Sequence, residues 1–174
     1  MITIKGILLK IKNIFGLTSR PNQSVYISDI GAKRWAYISY VTDIFYDNKN
    51  INFHQNRRES LIINKIFNDL GYNTFIHDYQ NHDYRGLKKY KFAIIFGIEP
   101  NMESVAQLFP KAIKIFYGTC AYKDHQNTQV IRRTDEFNNK LHCQLPYRRL
   151  AVEHHSAEMA DAIIQIGSYA TLMT

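Results

Sequence analysis

Phe92-Ala93-Ile94-Ile95-Phe96-Gly97-Ile98 is an uninterrupted apolar run, bounded by Lys91 on one side and Glu99-Pro100-Asn101 on the other. It has strand length rather than helix length, and no polar position alternates through it, so it reads as a strand buried on both faces inside a parallel sheet. What flanks it supports that reading. Downstream, Met102 to Leu108 has the pattern of a short helix ended by Phe109-Pro110, and Ala112 to Tyr117 is another strand, closed by Gly118-Thr119. Upstream, Trp35 to Val41 reads as the first strand and Ser60 to Leu70 as the first strong helix. In that helix Leu61, Ile62, Ile66, Phe67 and Leu70 recur mostly at three and four residues, and Gly71 stops it. Thr74 to His77 is a short second strand. Toward the C-terminus come a polar helical segment, Asp124 to Leu141, a short helix, Glu153 to Ala160, and a last strand, Ala162 to Ile166. Strands alternating with helices specify an α/β fold, a Rossmann-like and mostly parallel sheet flanked by helices.

The 174 residues suit one domain with one core, and 45% hydrophobic with 13% aromatic content is ample to fill it, which excludes global disorder. A net charge of +7 favours polyanionic partners. Nucleic acid is not expected among them, because the basic residues are scattered rather than striped and no DNA- or RNA-binding motif is evident. Cys120 and Cys143 have neither the number nor the spacing of a zinc site or disulfide framework, so a reducing, cytoplasmic setting is expected. His142, His154 and His155 have few partners at ligand spacing, and no metal is expected.

Residues 1–24 read as an amphipathic helix and linker, with residues 25–174 as the Rossmann-like domain. Ile4, Ile7, Leu8, Ile11, Ile14 and Phe15 share one helical face while Lys5, Lys10 and Lys12 lie off it. Such a helix is too short and too charged to span a bilayer. It suits an anionic membrane surface, at the inner face of the membrane, and it suits equally a leading helix packed on the domain's own core. At the other end, Gly167-Ser168 is a turn and cap signal for a helix that has only its first turn before Thr174, so the chain reads as one half of something larger.

Ligands of open α/β sheets bind outside the carboxyl ends of the strands, which directs attention to the loops Asp43 to Arg58, Gly97 to Asn101, Gly118 to Asn127 and Gly167 to Tyr169. The first has no Gly-rich fingerprint and no P-loop pattern. It carries His54, Gln55, Asn56 and Arg57 where a helix starts, a place that attracts anions and polar ligands. The same residues also suit a capped helix start, with Asn56 as N-cap and Glu59 three residues on. The third loop gathers Thr119, Tyr122, Lys123, His125, Gln126 and Asn127, a set that suits a polyhydroxylated ligand and equally a solvated turn.

Three blocks then resemble the N-terminal domain of GT-B type glycosyltransferases, in the group that includes the retaining family 4 enzymes. They are His54-Gln55-Asn56-Arg57-Arg58-Glu59-Ser60 leading into Ile66 to Asn73; Ile115 to Tyr122 with Gln126-Asn127 and Arg132-Arg133; and Pro146-Tyr147-Arg148-Arg149 followed by Ala160 to Ser168. The resemblance implies two Rossmann-like domains facing a cleft. The acceptor, a saccharide or lipid-linked saccharide, would be held by this domain, and the nucleotide-sugar donor mainly by a C-terminal domain that is absent here. It implies substrate-binding positions at His54, Gln55, Asn56 and Arg57, at Thr119 and Tyr122, and at Gly167 and Ser168 facing the interdomain cleft. Relatives often have Gly and His where this chain has Cys120 and Tyr122, which leaves His125 as the nearby histidine able to stand in. The resemblance further implies a metal-independent reaction with no cofactor, and a chain that is inactive alone. No residue is assigned a catalytic role. The alternative is a stand-alone, non-catalytic α/β module that binds an anionic ligand or partner.

Overall fold

The structure is a computed structural model and describes residues 24–47, 51 and 54–166. The expected N-terminal helix and the Gly167-Ser168 cap lie outside the described residues. Six strands form one sheet: β1 (Val25–Ser28), β2 (Arg34–Tyr40), β3 (Tyr72–Asp78), β4 (Phe92–Gly97), β5 (Ile113–Gly118) and β6 (Ala162–Gln165). Their order across the sheet is β1-β3-β2-β4-β5-β6, with β1 antiparallel to β3 and every other pair parallel. The helices are α1 (Gln55–Asp69), α2 (Asn101–Leu108), α3 (Lys123–Leu141) and α4 (Ser156–Met159). This is the expected α/β, Rossmann-like architecture of a mostly parallel sheet flanked by helices.

Side chains alternate across the strands and build a core on each face. Tyr37, Phe75, Ile95 and Phe116 meet Met102 and Val105 of α2 on one face. Ile38, Ile76, Ile94 and Phe96 meet Phe67 of α1 on the other. Both neighbours of β4 are parallel strands, and its Ile95 is sealed on one face while Phe96 is sealed on the other, which is why that stretch carries no polar position.

β1 is not legible as a strand in the sequence. It is four residues long and among the described residues pairs only with β3, while Asn73 holds the turn that follows it. The buried Asn73 carboxamide accepts from Ile30 N at 2.9 Å and Ala32 N at 3.0 Å, and donates to Ala32 O at 2.8 Å. α1 begins five residues before the expected Ser60, and its N-cap is His54, not Asn56: His54 Nδ1 accepts from Asn56 N at 3.3 Å. Gly71, at φ +78°, ends it as expected. The expected helix Glu153 to Ala160 is confined to α4, a single turn.

Gly97 sits at the carboxyl end of β4, opposite Ser39 of β2. Its φ is +139°, and a Cβ there would fall 2.2 Å from the Ser39 carbonyl oxygen, so only glycine fits. α3 stands apart, with at most sparse contact to any strand. Instead its side chains hold the returning segment 143–151, as Asn127 does through Ala151 N at 2.7 Å and Ala151 O at 3.2 Å.

Candidate functional site

The chain leaves β2 toward one edge of the sheet to form β3, and then crosses back over β2 to form β4. A crevice opens at that reversal, outside the carboxyl ends of the strands. It is a cleft of about 550 Å³. Tyr40 and Val41 extend into it from β2, Ile98, Glu99 and Pro100 from β4, Thr119 from β5 and Ile166 from β6, while His54, Gln55, Asn56 and Glu59 of α1 close its side. A second hollow of about 490 Å³ shares Val41, His54, Asn56 and Tyr79 with it and continues toward Asp78 and Gln80.

The start of α1 is fixed from below. Ser60 Oγ donates to Val41 O at 2.7 Å, and the Arg57 guanidinium meets Asp43 Oδ2 with Nε at 3.0 Å and Nη2 at 2.6 Å. Arg57 is buried, and its hydrogen bonds to Asp43 raise its pKa. The pair ties the turn after β2 to α1, and Arg57 and Asp43 together line the second hollow, where the guanidinium charge is met by the carboxylate. Because His54 uses Nδ1 as the cap acceptor, its Nε2 is left as a donor at the cleft side.

The Glu59 carboxylate accepts from the Tyr40 hydroxyl and from the Gln55 carboxamide. Burial, and then Glu59, holds the Tyr40 phenol well above the ordinary range, and the Tyr117 hydroxyl is raised for the same two reasons. Both phenols therefore stay protonated near neutrality. Glu99, by contrast, makes no hydrogen bond or ion pair among the described residues.

The opposite wall rests on Asn101, which is fully buried. Its Nδ2 donates to Asp78 O at 3.0 Å and Asn81 O at 2.9 Å, and its Oδ1 lies 2.7 Å from the Tyr84 hydroxyl and 2.8 Å from His82 Nδ1. One side chain thus joins the loop after β3 to the start of α2.

Of the residues singled out in the sequence, His54, Gln55, Asn56 and Thr119 line the cleft. Tyr122 and His125 do not. The Tyr122 hydroxyl donates to Glu158 of α4, and Tyr122 lines a smaller cavity of about 110 Å³ that shares only Glu99 with the cleft. His125 is exposed on the first turn of α3. Gly167 and Ser168 lie outside the described residues. Cys120 borders the small cavity, and burial and the nearby Glu99 push its thiol up, so it is not an activated nucleophile.

Tyr40, Tyr79, Glu99 and Asn101 were not singled out individually in the sequence. The position of Glu99 and Asn101 in the loop after the apolar run was the available signal. Tyr40 and Glu59 lie nineteen residues apart and meet only because α1 packs over β2.

Among the described residues no group of three or more His, Cys, Asp or Glu side chains is placed to hold a metal ion. Among them, too, no helix is long and apolar enough to cross a membrane. Comparison with known proteins finds no matching family model, no matching curated protein and no matching solved structure.

Proposed function

We propose that this chain is the acceptor-binding half of a glycosyltransferase, one that takes a hydroxyl of a saccharide or lipid-linked saccharide as the attacking group. The observation that carries the reading is the chemistry of the crevice at the strand-order reversal. Two amides, an imidazole, three hydroxyls (Tyr40, Tyr79 and Thr119) and two carboxylates converge on a cleft of about 550 Å³ whose remaining walls are Val41, Ile98, Pro100, Val152 and Ile166. Polyhydroxylated ligands need many short, neutral or acidic hydrogen-bonding groups over a partly apolar floor, and this cleft supplies them. Asn56 and Gln55 can both donate and accept, His54 Nε2 donates, and Glu99 accepts. On this reading Glu99 would take the acceptor proton as the hydroxyl oxygen attacks the sugar carbon and the bond from that carbon to the nucleotide oxygen breaks. The nucleotide leaving group would be held by a second domain facing this wall.

The competing reading, an anion-binding module, draws on the charge of +7. Within the cleft it is less favoured, because Arg57 is committed to Asp43 and two carboxylates line the walls.

Saturation-transfer NMR on the chain, with a panel of neutral and acidic oligosaccharides and with inorganic phosphate, tests the reading. Transfer to a neutral saccharide, weakened about tenfold or more by Asn56→Ala, is the expected result. Response to phosphate alone transfers the lead to the anion-binding module. Silence from every saccharide rejects the acceptor reading.

A further inference from the structure

The hairpin formed by α3 and segment 143–151 carries a separate feature, independent of the acceptor cleft. Asn138 pins Leu145, its Oδ1 accepting from Leu145 N at 2.8 Å and its Nδ2 donating to Leu145 O at 3.1 Å. Asp135 accepts from the Tyr147 hydroxyl at 2.8 Å, and Gln126 donates to Arg149 O at 3.0 Å. With the Asn127–Ala151 pair these bonds set the returning segment along the helix in one register. Arg149 is held at φ +62°, a backbone conformation rare for a residue with a side chain.

The consequence is that Arg133 of α3 and Arg148 and Arg149 of the segment line one groove of about 520 Å³, together with Val130, Phe137 and Leu145. Arg57, Arg85 and Arg132 each meet a carboxylate, and Arg34 stacks on Tyr72. Arg133, Arg148 and Arg149 meet none among the described residues. Leu141, Leu145 and Leu150 stand exposed on the same hairpin. Planar guanidinium groups match the oxygens of a phosphoryl group, and unpaired cations beside exposed aliphatic side chains are the combination that settles at an anionic lipid interface.

We propose that this groove binds the phosphoryl headgroup of an anionic lipid, with the aliphatic side chains of the hairpin entering the boundary between headgroups and acyl chains. The protein would then lie on a membrane through a folded hairpin, whatever residues 1–23 do.

Cosedimentation of the full chain with phosphatidylcholine vesicles, with and without phosphatidylglycerol, is the test. Binding should require phosphatidylglycerol, weaken with salt, and fall on the order of a hundredfold in Arg133→Gln/Arg148→Gln/Arg149→Gln, about fivefold for each charge removed. All three side chains are exposed, so the variant should melt with the wild type. Arg132→Gln, which removes a charge already paired with Glu136, is expected to bind within a few-fold of wild type. Failure of the wild type to bind either vesicle overturns the proposal. So does undiminished binding by the triple variant, which would move the contact to another part of the chain such as the basic segment before Pro21. Displacement from vesicles by millimolar inorganic phosphate, lost in the triple variant, would identify a site for a soluble phosphate and equally overturn the lipid assignment.

Discussion

His77 shows how a single buried side chain sets a pH limit. It is 1% exposed, the Tyr37 hydroxyl lies 2.9 Å from its Nδ1, and its Nε2 finds no hydrogen-bond partner among the described residues. Burial lowers its pKa, and the nearby Asp78 and Asp83 offset only part of that effect. The unfolded chain, with an ordinary imidazole near pH 6.5, therefore takes up a proton that the folded chain still refuses. In that window the unfolded state binds more protons, so stability rises with pH and is lost as the pH falls below about 6.5. Thermal melts stepped from neutral to mildly acidic pH should show this loss, and His77→Gln should flatten the slope. An unchanged slope in the variant would assign the acid sensitivity to other groups. Asn101 is the second decisive residue. Asn101→Ala strips partners from two carbonyls, a hydroxyl and an imidazole at one buried point. A cost of about 2–4 kcal/mol in urea unfolding is expected. A cost below about 1 kcal/mol would mean that water replaces the carboxamide.

Element by element, α1 separates what periodicity indicates from what packing uses. Its apolar stripe is wider than the surface it covers. Phe67 is 6% exposed against Phe96 and Tyr72, whereas Ile66 on the neighbouring position is 49% exposed. Ile62, Ile66 and Leu70 border an open apolar groove of about 440 Å³ beside Ile94, Ile115 and Ile164. Phe67→Ala should therefore cost about 3–5 kcal/mol and Ile66→Ala about 1 kcal/mol or less, read from denaturant midpoints at constant m-value. Equal costs would contradict this division of the helix. The start of the same helix explains the misplaced cap. Two residues before Asn56, His54 has the extended backbone, φ −149° and ψ 141°, that a capping position requires, and its ring nitrogen replaces the oxygen that pattern-reading looks for.

Taken whole, the molecule divides into a sheet with two cores and a hairpin held mainly by its own hydrogen bonds. Replacing residues 131–149 with a short Gly-Ser linker should leave the unfolding transition cooperative and its midpoint within a few degrees, because few side chains of α3 enter the sheet's cores. Loss of cooperative unfolding would show that the hairpin supports the sheet. The sequence by itself determined the α/β class, the strands β2 to β6 and the helices between them, because burial on both faces leaves apolar runs and burial on one face leaves a helical period. It also directed attention to His54, Gln55, Asn56 and Thr119, since residues just past strand ends in such a sheet must lie at its carboxyl edge. Only the tertiary structure decided that β1 pairs antiparallel at the edge, that Tyr40 and Glu59 meet, that Arg57 braces Asp43, and that Tyr122 turns to Glu158 instead of the cleft. Those outcomes depend on contacts between segments far apart in the chain, and a local pattern of residues carries no record of which distant partner it will find.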